Sequence, residues 1–351
     1  MIGKETASGG GSGKFCHGLF YRIISFDNLL RAWQEFKRGK TKKSDVQKFD
    51  FYLEDNICRL RYELKNKKYI HGRYTSFFVR DPKLRHIHKA AVGDRVVHQA
   101  LFRVLYPIFD KRFIYDSYSC RMDRGTHRGV KRLADFVRKE SRNYNNTAYA
   151  LKCDIKKFFA NIDQGVLFEL ISRRVDCEDT LWLVKSIIKS FASSSGKGLP
   201  LGNVTSQLFA NIYLNEMDQL IKHEIKVKYY LRYCDDFIIL HHDYRYLRRL
   251  TGCLDYFLSS RLKLTLHPDK IEIRKLSHGV DFLGYVVKPH YIILRTKTKR
   301  RMLSKVKNKA RELGLGNLDN NAYRQSVQSY FGILKHCYGH KIFKIMRQYL
   351  R

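Results

Sequence analysis

The sequence lacks the residue spacings by which cysteines and histidines usually bind zinc. Its eight cysteines are scattered with no CxxC pair, and its fourteen histidines show no HExxH spacing. Zinc ligation therefore has no support in the sequence, and a disulfide framework has little. We expect reduced thiols and a cytoplasmic protein.

Long uncharged apolar runs are also absent, and no secretory signal is apparent at the start of the sequence. A membrane-spanning helix needs about 18 or more consecutive apolar residues. We therefore expect no membrane partner, although an anionic membrane surface remains the alternative that the charge of the chain leaves open.

Acidic residues are scarce relative to basic ones. Asp and Glu number 33 against 68 Lys and Arg, which gives a formal net charge of +35. The chain is 44% hydrophobic, with 23 Tyr and 22 Phe among its 351 residues, so it is expected to fold around a sizeable core. A folded, aromatic-rich and strongly basic chain favours a nucleic-acid partner.

The pattern along the chain predicts an α+β protein. Residues 1–14 are small and Gly/Ser-rich and are interpreted as a flexible tail or a vector-derived remnant. Helical spacing prevails up to residue 68 and again after residue 297, and a helix that starts near Asp94 is expected to end at Pro107. Residues 74–90 alternate like a hairpin with Asp81-Pro82 as its turn, and residues 262–275 are expected to be rich in strand.

Two adjacent carboxylates, Asp235 and Asp236, interrupt an apolar, strand-like run from Lys228 to Leu240. Adjacent anions repel each other and lose hydration when they are buried. The pair must therefore lie at an exposed hairpin tip or beside positive charge.

A third carboxylate, Asp154, ends another apolar strand far away in the sequence. If that strand lies beside the hairpin, the three carboxylates converge, and hard oxygen ligands of this kind suit Mg²⁺ or Mn²⁺. Two such ions hold the attacking and leaving oxygens of an in-line phosphoryl transfer. The alternative is a solvated carboxylate cluster.

The order of several motifs resembles that of a reverse transcriptase. The segments that resemble its five palm motifs are DIKKFF (154–159), GLPLGNVTSQ (198–207), YCDDF (233–237), LHPDK (266–270) and VDFLGY (280–285). Two upstream segments, RDPKLRHIH (80–88) and YDSYSCRMDRGTHRG (115–129), resemble fingers motifs of prokaryotic reverse transcriptases.

This resemblance implies a right-hand polymerase, with fingers over 15–147, a palm of antiparallel sheet plus helices over 148–290, and a helical thumb over 291–351. It implies RNA-directed DNA synthesis with two Mg²⁺ ions, or Mn²⁺ in their place. A primer 3′-hydroxyl would attack the α-phosphate of a dNTP. Asp154 and Asp235 would bind the metals directly, the backbone carbonyl of Ile155 would assist, and Asp236 would ligate less directly.

The same resemblance assigns residues around the nucleotide. Phe159 takes the position of the steric gate that excludes a ribose 2′-hydroxyl. Lys83 and Arg85 would grip the triphosphate, with generic template contact as the alternative, and Arg121 is a weaker case of the same kind. Lys270 takes the position of a general acid toward pyrophosphate, with a structural surface lysine as the alternative.

One position departs from many reverse transcriptases, which carry Gln immediately before the glycine of the second palm motif. Here that position is Leu201, followed by Gly202, which permits close backbone approach to substrate, and by Gln207 as a hydrogen-bonding residue. An apolar residue before this glycine resembles the enzymes of diversity-generating retroelements, a bacterial and phage group within the group II intron-like lineage that copies adenines unfaithfully.

This narrower resemblance implies a set of partners: a structured RNA template, a DNA or RNA primer, dNTPs, and a small basic accessory protein that forms an oligomeric barrel. The protein would be bacterial or phage-encoded. One alternative is an antiphage-defence or retron-type reverse transcriptase with its own noncoding RNA. A second is a catalytically silent RNA-binding or maturase-like protein.

Overall fold

A computed structural model of the chain describes residues 18–80 and 83–349. The tail expected over residues 1–14 and the turn expected at Asp81-Pro82 lie outside the described residues. The chain divides into two compact units. Unit 1 contains the chain up to Ile114 together with Lys156–Asp218 and Phe257–Leu264, and unit 2 contains Tyr115–Ile155, Gln219–Tyr256 and the chain from Thr265 onward.

Helices account for most of the described residues. In chain order the α-helices are α1 Leu19–Ile24, α2 Phe26–Lys37, α3 Ser44–Phe51, α4 Leu53–Lys65, α5 Val92–Asp110, α6 Thr126–Glu140, α7 Phe158–Asn161, α8 Gln164–Ser172, α9 Glu178–Lys189, α10 Val204–Gln219, α11 Tyr244–Leu262, α12 Thr296–Gly314, α13 Asn320–Leu334 and α14 His340–Gln348. A π-helical turn, Leu220–Glu224, extends α10, and two 3₁₀ turns span Pro268–Lys270 and Leu276–His278. No helix within the described ranges is long and apolar enough to cross a membrane.

Within the described residues, strands form three sheets, and every pairing between these strands is antiparallel. The strands are β1 Thr75–Arg80, β2 Leu84–Lys89, β3 Tyr149–Asp154, β4 Tyr229–Tyr233, β5 Asp236–His241, β6 Glu272–Lys275, β7 Val280–Phe282, β8 Tyr285–Lys288 and β9 Tyr291–Leu294. Their orders are β1-β2 in unit 1 and, in unit 2, β4-β5-β3-β6 and β7-β8-β9. The prediction of a mixed protein with antiparallel sheets is confirmed.

The main sheet of unit 2 is held by an apolar cluster that it shares with α6. Leu231, Ile238 and Leu240 from β4 and β5 pack in one buried cluster with Leu133 and Val137 of α6. Burying side chains of this size contributes about 1.5–3 kcal/mol each. The cluster therefore fixes the strands that carry the carboxylates.

Two local expectations are wrong. Helix α5 continues through Pro107 to Asp110, because the lost hydrogen bond falls in its last turn and Phe109, beyond the proline, is buried. Residues 264–271 do not form a strand, since only an isolated bridge between Ile155 and Leu266 precedes β6. Pro268, which has no N–H to give to a sheet, starts a 3₁₀ turn there instead.

Candidate active site

The two adjacent carboxylates lie at a tight hairpin turn between β4 and β5. Tyr233 pairs with Asp236, so the loop consists of Cys234 and Asp235 alone. Cys234 has φ 58°, in the left-handed region, which is typical of a two-residue hairpin loop. Asp235 and Asp236 are only partly exposed, so the turn is not a fully solvated tip.

Asp154 lies opposite this turn. Strand β3 pairs with β5 in a register that sets Asp154 across from Asp236, at the end of both strands. The register places the three carboxylates at one edge of the sheet, within unit 2. Ile155, the next residue, is buried, and its backbone bridges to Leu266.

Lysines neutralise two of these carboxylates. Lys270 Nζ donates to Asp154 Oδ1 at 2.8 Å, and Lys152 Nζ lies 3.7 Å from Asp236 Oδ2. Lys152 also donates to the backbone carbonyl of Asp281 at 2.9 Å, and Asp281 is ion-paired with Arg295. Sequence reasoning missed Lys152 and Arg295. Lys152 stands two residues before Asp154 on the same strand, so the alternation of faces along β3 was the signal that could have found it.

Burial and mutual repulsion raise the pKa of both turn carboxyls. For Asp235 the main cause is burial, followed by the charge of Asp154. The pKa of Asp236 rises from 3.8 to about 6, mainly because of burial; Lys152 opposes the rise, whereas Asp154 and Asp235 add to it. The fold therefore holds negative charge that the surrounding protein only partly neutralises.

The chemistry of this edge fits a divalent cation, although its side chains are not arranged as a ligand set. Across the described residues, no three His, Cys, Asp or Glu side chains form a group that could hold a metal ion. Asp236 Oδ1 is nevertheless buried without a hydrogen-bond partner in the described part of the chain. An unpaired carboxylate oxygen close to two further carboxylates supplies the kind of oxygen atom that Mg²⁺ or Mn²⁺ prefers.

The raised pKa of Asp236 gives a testable effect on stability. Since the folded protein binds this proton more tightly than the unfolded chain, the contribution of Asp236 to the free energy of unfolding falls as pH rises from 3.8 to about 6. In EDTA at about pH 7.5, Asp236→Asn should raise the free energy of unfolding by roughly 1–3 kcal/mol, and at about pH 4 by much less. Urea denaturation at both pH values measures this, and an equal effect at both would contradict it.

A buried arginine contacts the turn through its guanidinium group. Arg232 is fully buried in β4, and its guanidinium donates to the carbonyl of Cys234 at 3.0 Å. Its backbone is held on both sides: its N–H donates to the Asp116 carbonyl, and its carbonyl accepts from the Tyr118 N–H, both at 2.9 Å. Sequence reasoning missed Arg232, although a charged residue within an apolar strand was a visible signal.

In unit 1 the residues predicted to contact the nucleotide lie on connected segments. The carbonyl of Leu201 accepts a hydrogen bond from His88 N–H of β2 at 3.1 Å, and the carbonyl of Phe159 accepts one from Leu199 N–H at 2.8 Å. Gly202 has φ 122°, a conformation that other residues rarely adopt, and a Cβ there would lie 3.3 Å from Ile87 Cγ2, so the position favours glycine.

The remaining predicted residues differ in their surroundings. Lys83 and Arg85 are exposed on the β1–β2 hairpin of unit 1, and Gln207 is exposed on α10. Arg121 belongs to unit 2, where its guanidinium donates to the carbonyl of Ser117 at 3.1 Å.

Comparison with known protein families shows to which family the chain belongs. The profile described as reverse transcriptase (RNA-dependent DNA polymerase) matches residues 79–287, which is more than half of the chain. The chain belongs to the reverse transcriptase family. The matched range includes strand β2, the carboxylates of the sheet edge and Lys270, so the ordered motifs between residues 80 and 285 fall inside one family domain.

Known members of this family resemble the chain at low identity. Protein YkfC of Escherichia coli K12 is 24% identical over 246 residues, which cover 58% of this chain and 63% of YkfC. The group II intron-encoded protein LtrA of Lactococcus lactis is 23% identical over 59% of this chain and 34% of its own length. The retron Ec83 reverse transcriptase of Escherichia coli is 23% identical over 76% of this chain and 90% of its own. The chain therefore spans less than two thirds of the first two relatives.

Proposed function

We propose that the chain is an active RNA-directed DNA polymerase. The observation that carries this proposal is the edge of the unit 2 sheet, where Asp154 faces Asp236 and Asp235 occupies the adjoining turn. Asp154 and Asp235 would bind two Mg²⁺ ions, with Asp236 and the Ile155 carbonyl in assisting roles. When bound, such ions stabilise the charge that develops on the attacking and leaving oxygens of phosphoryl transfer.

The contacts of Lys270 support a dual role for this residue. Its ammonium is held 2.8 Å from Asp154 Oδ1, beside the carboxylate that would receive a metal. In that position it stabilises the charged edge without metal, and a proton on its Nζ is available to a pyrophosphate leaving group.

The proposed architecture is a right hand with fingers over 15–147, palm over 148–290 and thumb over 291–351. The antiparallel sheet of unit 2 supports the assignment of the palm, and the helices α12–α14 support that of the thumb. In the fingers, the exposed Lys83 and Arg85 would bind triphosphate oxygens, and Arg121 is the weaker candidate for the same contact. Phe159 would exclude the ribose 2′-hydroxyl.

For the lineage we propose a diversity-generating retroelement, on the basis of Leu201. This residue replaces a polar side chain next to Gly202, where the backbone closely approaches β2. Losing a polar contact that checks base-pair geometry relaxes selectivity. The partners in this proposal are a structured RNA template, a DNA or RNA primer, dNTPs and a small basic barrel-forming protein, in a bacterial or phage-infected cytoplasm.

Replacing Leu201 with Gln tests this part of the proposal. A side-chain amide next to Gly202 should restore polar discrimination, so misincorporation opposite template adenine should fall by roughly tenfold. Sequencing of primer-extension products on one RNA template measures the error rate at each base. Leu201→Met, which keeps the apolar character, is the matched control, and an equal drop in both variants would contradict the proposal.

A retron-type enzyme with its own noncoding RNA is the second candidate. It is supported by the similarity to the retron Ec83 reverse transcriptase, which extends over 90% of that protein. Purifying the chain from its native cell and sequencing the bound nucleic acid separates the two. A short RNA covalently joined to cDNA would favour the retron type, and a repeat-derived template with cDNA mutated at adenines would favour the retroelement.

A catalytically silent, maturase-like RNA-binding protein is the third candidate, and it draws on the similarity to the group II intron-encoded protein LtrA. The three carboxylates weigh against it. A protein that only binds RNA gains nothing from burying repelling carboxylates at a sheet edge.

A further inference from the structure

A groove in unit 2 combines cations with exposed aromatic rings and includes none of the predicted metal ligands in its lining. It lies among the end of α6 with the loop that follows, the β8–β9 hairpin, and the loop after α13. Its volume is about 520 Å³, within the range of sites that bind small molecules or single nucleotides.

Two tyrosines form an aromatic surface in this groove. Tyr338 is 77% exposed and Tyr291 is 49% exposed, with ring centroids 6.4 Å apart and planes at 53°. The position of Tyr338 is fixed by its backbone N–H, which donates to the carbonyl of Ile292 at 2.6 Å. Exposed aromatic rings are suited to stacking with nucleic-acid bases.

The cations in the groove are available to a ligand. Arg138 and Lys335 are exposed, and neither forms an ion pair with a carboxylate anywhere in the described ranges. Lys288, by contrast, donates to the carbonyl of His278 at 2.7 Å. One acid, Asp135, lines the same groove, and its carboxylate would repel phosphate but accept a hydrogen bond from a base N–H.

One wall of the groove is held in an unusual backbone conformation. The consecutive residues Arg142, Asn143 and Tyr144 have φ values of 46°, 56° and 69°, and His290 on the facing hairpin has φ 66°. The Tyr144 ring lies 5.1 Å from that of His290, and its hydroxyl donates to the Lys288 carbonyl at 3.3 Å. Left-handed backbone in non-glycine residues is rare and concentrates at functional sites.

We propose that this groove binds an unpaired nucleotide of a single-stranded nucleic acid. The base stacks on Tyr338 and Tyr291, the phosphates are contacted by Arg138 and Lys335, and Asp135 accepts a hydrogen bond from the base. The site goes beyond the proposed polymerase function, since it would hold a strand at a place other than the predicted metal ligands. The groove gives the protein a second contact with the RNA or the DNA that it binds.

Binding of short single strands tests this. Fluorescence anisotropy with labelled RNA and DNA oligomers of about twelve nucleotides is measured for the full chain, for Tyr338→Ala and for Arg138→Gln/Lys335→Gln. Each variant should lose about tenfold or more in affinity, because one stacked base or two phosphate contacts are lost. Arg245→Gln/Arg248→Gln, with the same charge change on the exposed side of α11, is the control and should lose less than about threefold. A loss of affinity for RNA, for DNA or for both supports the site and shows which nucleic acid it binds.

Two outcomes would overturn the proposal: unchanged affinity in Tyr338→Ala for both probes, or an equal loss in the α11 control. Circular dichroism verifies that each variant is folded. Primer extension on a fully paired short duplex with a one-nucleotide overhang is run in parallel and should be unchanged in the groove variants. If the wild-type chain fails to extend primers, the polymerase proposal fails, whereas the binding comparison stands independently.

Discussion

Asp235→Asn is expected to reduce dNTP incorporation by about 10³-fold or more, which corresponds to about 4 kcal/mol of transition-state stabilisation. Asp235 stands at the turn between β4 and β5, next to Asp236 and on the same sheet edge as Asp154. An amide keeps the size of the side chain but removes the charge that would hold a metal. Primer extension with Mg²⁺ at saturating dNTP measures the loss.

The same substitution should leave the protein at least as stable as the parent when metal is absent. The pKa of Asp235 is raised by burial and by the charge of Asp154, so the fold already favours the neutral side chain. Thermal unfolding in EDTA should therefore show no decrease in Tm. A large decrease would mean that activity was lost through unfolding.

Asp269→Asn is the matched control for that experiment. Asp269→Asn removes the same charge at the position next to Lys270, but the Asp269 side chain is 88% exposed. Its activity should stay within about twofold of the parent, as expected for an exposed surface substitution. If Asp235→Asn retained comparable activity, the assignment of the turn as a metal-binding site would be wrong.

Phe159→Ala is expected to lower discrimination against ribonucleotides by about 100-fold, the second largest effect. Phe159 is half-buried, its ring lies 5.3 Å from that of Phe158, and its carbonyl accepts a hydrogen bond from Leu199. These contacts fix the ring, and a fixed ring can exclude a 2′-hydroxyl by contact. Removing the ring leaves space for the 2′-hydroxyl. Gaining or losing one such contact in a binding pocket changes selectivity by about 10–200-fold.

The measurement is the ratio of kcat/KM for dNTP and the matching rNTP on one primer–template. Phe158→Leu is the control, because Phe158 is 2% exposed and belongs to the core. It should lower stability by about 1 kcal/mol while the ratio stays within about twofold. If the ratio were unchanged in Phe159→Ala, the steric-gate assignment would fail.

The sequence was enough to locate the hairpin of Asp235 and Asp236 and its dependence on a third carboxylate. A continuous apolar run indicated the strands, and two adjacent carboxylates in its middle required a turn or a nearby cation. The hairpin follows from neighbouring residues, whereas Asp154 was found because it too is a carboxylate that ends an apolar strand. The proline in α5 was misjudged for the opposite reason, since the burial of Phe109 is a tertiary contact that offsets a local preference.

Contacts between distant segments were beyond sequence reasoning. Lys152 meets Asp236 because β3 pairs with β5, and Arg295, which follows β9, meets Asp281 of β7 because β7 and β9 both pair with β8. The alternation of faces along β3 could have placed Lys152 beside Asp154, but in a chain with 68 basic residues no spacing rule pairs Arg295 with Asp281. The groove at Tyr338 was missed for the same reason, as its lining comes from three separate segments.

Primer extension by the unmodified chain on a defined RNA template tests the central claim most directly. The reaction holds RNA, an annealed DNA primer and dNTPs, with Mg²⁺ or with EDTA. Metal-dependent cDNA complementary to the RNA, absent in the Asp235→Asn variant, is the predicted result. Extension that persists in EDTA or in that variant, or no extension under any divalent metal, would contradict it.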